Sequence, residues 1–150
     1  MSRPTVGQDA PDFTIEGVSL AALRGKPVVL YFYPKDDTPG CTTQACAFRD
    51  MKAEYDAAGA TIIGVSRDDS GSHEKFTRKF DLNFPLLADV DGALCEAYGV
   101  WVEKNNYGRS YMGIERTTFV IDSGGKIARV FSRVRVEGHG TKVLEAVRAL

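Results

Sequence analysis

Two apolar periods alternate along the chain. Residues 28–33 (Val28, Val29, Leu30, Tyr31, Phe32, Tyr33) are apolar throughout and rich in β-branched and aromatic side chains. Such a run predicts a central strand buried on both faces. Residues 61–66, with Ile62, Ile63 and Val65, predict a second. From Cys41 the period changes. Ala45, Phe48, Met51, Tyr55 and Ala58 recur at three- and four-residue spacing, with Arg49, Asp50, Lys52, Glu54 and Asp56 between them. That pattern predicts a helix with one apolar stripe, closed at Gly59.

The remaining elements are shorter. Residues 11–15 predict a strand with Phe13 and Ile15 on one face, broken at Gly17, and residues 19–23 a single helical turn ended by Gly25. Ser72 is placed to cap a helix carrying Phe76 and Phe80 four apart. Residues 84–88 predict a third strand, which Pro85 marks as irregular or at an edge. Residues 91–98 predict a short helix ending at Gly99; 100–102 are apolar, and the polar stretch 103–112 reads as a surface excursion. Residues 116–122 and 126–131 predict strands joined through Ser123, Gly124 and Gly125, a hairpin signal. Residues 141–150 predict a last helix with Val143, Leu144, Val147 and Leu150 facing inward. Alternating strands and helices predict an α/β fold in a single domain, 1–150, with helices on both faces of the sheet and antiparallel strands added by the terminal hairpin.

Composition narrows the class. A chain of 150 residues, 43% hydrophobic and 26% charged, has the balance of a globular domain with a real core. The formal net charge of −1 offers no basic surplus for nucleic acid or an anionic membrane. The apolar stretches fall far short of the ~18 residues a membrane span needs, and the first nine residues carry no apolar signal region. A cytoplasmic protein with no nucleic-acid or membrane partner is expected. Three cysteines are too few for a disulfide scaffold. A close pair, Cys41 and Cys46, with an outlier, Cys95, suggests a reactive pair and a structural single.

The stretch 31–46 carries the candidate chemistry. A strand breaks at Pro34, turns through Pro39 and Gly40, and hands over to a helix at Cys41. Unpaired N–H groups and the positive end of the helix dipole stabilise a thiolate at that place. Thr38 and Gly40 suit a cap or turn, and Pro39 sits where a missing N–H matters little. For Cys41 alone, an inert buried thiol is an equal reading. Thr38 also reads as a simple cap, Pro34 as a strand terminator and Arg116 as a surface cation opening a strand. Other chemistries are weaker. A disulfide reductase usually has two residues between its thiols, and here there are four. A metal site lacks ligands, since His73 reads as a helix-surface residue and His139 as a loop residue between glycines, neither near the cysteine pair in sequence. A cysteine hydrolase needs one of these histidines as base. A binding or chaperone-like module on the same fold needs no activated thiol.

The pattern P-x-x-x-T-x-x-C is met by Pro34, Thr38 and Cys41, and C-x-x-x-x-C by Cys41 and Cys46. With residues 98–101 and 113–122, the latter holding Arg116, these segments make nearly the whole chain resemble the peroxiredoxin family, in its bacterioferritin comigratory protein (peroxiredoxin Q) branch. The resemblance implies a thioredoxin fold of peroxiredoxin type, with a central mixed β-sheet flanked by helices. It also implies thiol-dependent reduction of hydrogen peroxide and organic hydroperoxides, without metal or cofactor. Cys41 is then the peroxidatic cysteine, passing through a sulfenic acid. Thr38, Arg116 and the helix N–H groups face the peroxide oxygens, and Pro34 shields the thiolate. Cys46 resolves the sulfenic acid as a disulfide, and a dithiol such as thioredoxin, or else glutaredoxin or a small thiol, reduces it. Positions five apart on one regular helix lie ~7.5 Å along the axis and ~140° around it, roughly 8 to 9 Å between Cα atoms. A disulfide tolerates no more than about 7 Å, so resolution requires the helix start to unwind. Cys95 is expected to be a buried structural thiol. A monomer is expected, with a weak dimer left open.

Overall fold

The computed structural model describes residues 3–150. At its centre is β3 (Val28–Phe32), all five residues buried. It pairs in parallel with β4 (Thr61–Ser66) and antiparallel with β8 (Thr117–Ile121). β4 continues in parallel to β5 (Leu86–Ala88), and β8 antiparallel to β9 (Ile127–Phe131). The mixed sheet therefore runs β5-β4-β3-β8-β9. β5, which follows Pro85, is an edge strand as its proline predicts.

Successive strand residues point to opposite faces, so the continuous apolar run of β3 feeds two cores. Val28, Leu30 and Phe32 pack with Leu94, Cys95 and Tyr98 around the short helix α4 (Ala93–Ala97). Val29, Tyr31 and Tyr33 pack on the other face, against α1 (Pro39–Asp50), α2 (Lys52–Ala57), α3 (Ser70–Phe80) and α5 (His139–Arg148). Gly64 in β4 is required by this packing. A Cβ there would lie 2.7 Å from Leu86 Cδ2 and 2.9 Å from Tyr31 Cζ.

Several expectations are corrected. The polar stretch after Val100 is a regular hairpin, β6 (Trp101–Asn106) with β7 (Arg109–Ile114), turning through Tyr107 and Gly108. The strand expected at 11–15 is reduced to β1 (Thr14–Ile15), paired with β2 (Val18–Ser19), and the helical turn follows as a 3-10 turn at Ala21–Leu23. The helix after Cys41 begins two residues earlier and breaks at Met51 into α1 and α2. α3 is capped by Asp69, whose carboxylate accepts the Ser72 N–H at 2.8 Å, so Ser72 lies inside the helix. Leu150 falls beyond α5 and is 53% exposed. His73 and His139 are both buried, each held by a partner distant in sequence. Among the described residues, no helix is long and apolar enough to cross a membrane.

Candidate active site

The end of β3 delivers the chain to the site. Tyr33 N–H still bonds the Val65 carbonyl at 3.0 Å; Pro34 and Lys35 then turn outward. Thr38 takes the N-cap position of α1 with extended backbone (φ −100°, ψ 156°), and Pro39 fills the first helical position. The Thr38 hydroxyl does not cap the helix. It donates to the Lys35 carbonyl at 2.9 Å, which leaves its oxygen lone pairs as acceptors. Cys41 lies in the first turn and is buried. Cys41, Gln44, Ala45 and Phe48 form the buried stripe of α1. Cys46 is half-buried on the same uninterrupted helix, and all three cysteines are free thiols.

Arg116 stands one residue ahead of β8, where Thr117 pairs with Phe32. The sheet register thus fixes Arg116 beside the exit of β3. One guanidinium nitrogen, Nη2, donates to Cys41 Sγ at 3.3 Å, and the other, Nη1, to Gln44 Oε1 at 2.6 Å. Gly40 permits this approach: a Cβ there would sit 3.3 Å from Nη2. Two buried polar atoms of this neighbourhood, Gln44 Nε2 and Tyr31 Oη, have no protein partner. Gln44 was not singled out from sequence, although its place three residues after Cys41 puts it on the same helix face. Beside Pro34 opens a cleft of about 450 Å³, lined by Lys35, Arg67, Trp101, Lys104 and Met112.

Behind the loop is a buried polar knot. Asp36 accepts from Tyr33 Oη, from Ser72 Oγ at 2.8 Å and from His73 Nδ1 at 2.7 Å, while His73 Nε2 donates to the Leu87 carbonyl at 2.9 Å. With both ring nitrogens facing acceptors, His73 is an imidazolium. Burial opposes its charge, but the Asp36 hydrogen bond and charge outweigh that and raise its pKa. Burial likewise opposes the Asp36 carboxylate, and the hydrogen bonds from His73, Tyr33 and Ser72 hold it below its usual range. Asp68 joins the knot by accepting the Asp36 backbone N–H at 2.8 Å. Asp36, Asp68 and His73 place ligand-type atoms within 4.8 Å of one another. Here, however, His73 Nδ1 is a donor to Asp36, with no lone pair free for a metal.

His139 opens α5 in the opposite state. Its Nε2 meets Thr118 Oγ1 at 2.8 Å, and its ring packs edge-on to Phe48 and Phe131. Burial, with the positive charges of Lys142 and Arg116, pushes its pKa down to about 4. No hydrogen bond of either histidine reaches Cys41, which leaves the hydrolase reading without its base. Cys95 is fully buried under β3, and burial, followed by the hydrogen bond and charge of Asp89, pushes its thiol up.

The profile of the AhpC/TSA family matches residues 6–130. Among curated proteins, a putative peroxiredoxin Bcp of Coxiella burnetii is 51% identical over 144 residues, covering 93% of this chain and 95% of its own. The peroxiredoxin Bcp of Bacillus subtilis is 46% identical over 148 residues, covering 95% and 94%. Among solved structures, the bacterioferritin comigratory protein of Xanthomonas campestris, described in trapped intermediate and ligand complexes concerning its alkyl peroxide reduction activity, superposes with a TM-score of 0.89. It is 41% identical and covers 97% of this chain and 98% of its own.

Proposed function

The chain belongs to the AhpC/TSA family, as a peroxiredoxin of the Bcp type, and from that premise we propose that Cys41 reduces hydrogen peroxide and organic hydroperoxides, that Cys46 resolves the product, and that thioredoxin or another dithiol closes the cycle. The observation that carries this reading is the Arg116 guanidinium set against the Cys41 sulfur at 3.3 Å and locked by Gln44.

The thiolate attacks the terminal peroxide oxygen. An S–O bond forms, the O–O bond breaks, and an alkoxide or hydroxide leaves. Charge moves across the O–O bond, so fixed donors on that path lower the barrier. Arg116 supplies a permanently charged pair of N–H groups, and the first turn of α1 supplies unpaired backbone N–H groups. Thr38, its proton committed to the Lys35 carbonyl, keeps oxygen lone pairs with which to accept the O–H of the incoming peroxide. Pro34, ahead of this loop, limits water at the thiolate. We further propose that residues 1–150 act as one unit and as a monomer. The small, odd cysteine count fits the reducing cytoplasm.

Resolution asks more of the fold. Cys41 and Cys46 share one helix, and the roughly 8 to 9 Å between such positions exceeds the disulfide limit of about 7 Å. The first turns of α1 therefore unwind before the second sulfur can attack. The test is a time-resolved peptide mass map of the reduced protein mixed with one equivalent of hydrogen peroxide, without reductant. A fast, selective Cys41–Cys46 disulfide with Cys95 untouched is expected. Slow oxidation spread over all three cysteines overturns the proposal.

A further inference from the structure

Thr38 does not behave as an N-cap threonine usually does. At that position the hydroxyl oxygen commonly accepts an N–H from the second or third helical residue, here Gly40 or Cys41. No side chain caps α1, however. The Thr38 hydroxyl donates instead to the Lys35 carbonyl at 2.9 Å, a direction that is unambiguous because a carbonyl only accepts. The N–H groups of Gly40 and Cys41 are thereby left uncapped beside the thiol, and the Thr38 lone pairs are left unengaged.

One peptide group holds the hydroxyl in that state. The Lys35 carbonyl and the Asp36 N–H belong to a single planar trans unit, so they point in opposite directions. Thr38 is bonded to one end of it at 2.9 Å and Asp68 Oδ2 to the other at 2.8 Å. Turning the plane breaks both bonds. Lys35 is exposed, and nothing in the loop's own sequence forbids such a turn. Asp68 opposes it from a rigid base. Ser66, fully buried at the end of β4, donates to the same Oδ2 at 2.6 Å and accepts the Asp68 N–H at 3.2 Å. Asp68 is not used to cap α3, because Asp69 does that. Asp37 completes the turn with φ 56° and an ion pair to Lys79 at 2.8 Å.

We infer that Asp68 is a positioning residue for the peroxide reaction: by pinning the Lys35–Asp36 peptide it keeps the Thr38 proton on the Lys35 carbonyl, so that Thr38 meets a hydroperoxide as an acceptor of its O–H. The inference rests on the peroxidase reading above. Asp68 acts through the peptide, with its own bonds going to Ser66 and Asp36. Its loss frees the plane to turn, and Thr38 reverts to capping α1 with its oxygen on the Gly40 or Cys41 N–H. The peroxide then loses an acceptor and a donor together.

The test compares two electrophiles. Rates of Cys41 oxidation by hydrogen peroxide and of Cys41 alkylation by iodoacetamide, the latter read by peptide mass, are measured at one pH. The proteins are the wild type, Asp68→Ala and Asp68→Asn, each with and without Thr38→Val. Iodoacetamide reports the thiolate and its access but brings no hydroperoxide O–H. Asp68→Ala is expected to slow oxidation about 10-fold, the low end for one hydrogen bond to a charged group, and to leave alkylation at the wild-type rate. Asp68→Asn, whose amide oxygen can take both bonds of Oδ2, should recover most of that loss. In the Thr38→Val background Asp68→Ala should cost nothing further, the signature of two residues on one route. Equal losses of oxidation and alkylation overturn the inference in favour of a general loosening of the loop. A loss that persists without the Thr38 hydroxyl overturns it by taking Thr38 off the route. Asp68→Asn as slow as Asp68→Ala overturns it in favour of the carboxylate's charge, and Asp68→Ala as fast as the wild type overturns it outright. A wild type that iodoacetamide alkylates but peroxide leaves untouched removes the peroxidase reading, and this inference with it.

Discussion

His139 gives a stability prediction whose size follows from its surroundings. The ring is 4% exposed, bonded to Thr118 and enclosed by Phe48 and Phe131. Its ordinary pKa of 6.5 falls to about 4 in the folded chain. In the unfolded chain it takes up a proton near 6.5. Between these values the unfolded state binds more protons, so stability falls as pH falls. The contribution is complete above pH 6.5 and is lost as pH drops through about 4. At 1.36 kcal/mol per pH unit, the interval is worth about 3 kcal/mol. The assay is urea unfolding by far-UV circular dichroism at several pH values from 7.5 to 4, for the wild type and His139→Gln. Carboxylates common to both proteins cancel in the difference. The variant starts less stable at pH 7.5, and its deficit should shrink, or reverse, by about 3 kcal/mol by pH 4. Parallel stability curves would refute the reasoning, because a histidine that titrates equally in both states contributes no pH slope.

Further outcomes concern the site and its support. Cys46→Ser should still form a sulfenic acid at Cys41, trapped by dimedone, yet lose turnover with thioredoxin; normal turnover excludes Cys46 as the resolving thiol. Arg116→Lys keeps the charge but loses the fork that spans Cys41 and Gln44, and should slow peroxide reduction by about 10²- to 10³-fold, the loss seen for one oxyanion donor. A rate close to wild type would remove Arg116 from the reaction. His73→Leu leaves Asp36 as a buried, uncompensated carboxylate and should destabilise by about 3 to 5 kcal/mol in urea unfolding. Its pH signature runs opposite to that of His139. The His73 contribution is complete below pH 6.5 and is lost as pH rises through its raised folded value, whereas the Asp36 contribution is lost on acidification. A wild-type advantage over His73→Leu that does not decline on the alkaline side would contradict the charged pair.

What was legible in the sequence follows what the fold demands of each segment. β3 and β4 are covered on both sides, and such burial writes a continuous apolar run. α1 is covered on one side and writes a helical stripe. The β6–β7 hairpin was not legible because most of it faces solvent and it imposes no alternation. Its available signal was the turn, where Tyr107 and Gly108 both take positive φ, 52° and 79°. The buried histidines were hidden for another reason. Each is stabilised by a partner that sequence does not bring near: Asp36 for His73, 37 positions away, and Thr118 for His139, 21 away. Only the three-residue step from His73 to Phe76 hinted at a shared buried face. The family motif singles out Pro34, Thr38, Cys41 and Arg116, and the sheet register sets Arg116 against Cys41. Gln44 is not in that motif, and its contact with Arg116 and its unpaired Nε2 are visible only in the fold.

The proposed cycle makes opposed demands on α1, and the helix is built unevenly enough to meet both. Its first turn is weak. Thr38 gives it no side-chain cap, which forgoes about 1 kcal/mol, and Gly40 adds backbone freedom that favours the unwound chain. The residues on either side are anchored. Upstream, Asp36 is tied to Tyr33, Ser72 and His73. Downstream, Phe48 packs against Tyr31 at 4.8 Å between ring centroids, and Tyr55 in α2 donates to the Gly140 carbonyl at 2.6 Å. In the proposed cycle, opening would be confined to the turns that carry Cys41 and Cys46, as a local event below the free energy of global unfolding. In the proposed cycle, Arg116 and Gln44 set the direction of the balance. While the sulfur is a thiolate, its bond to Arg116 would hold the turn closed. Conversion to a sulfenic acid would remove the negative charge that held the guanidinium, and the weak turn would then be released at the stage when Cys46 has something to attack.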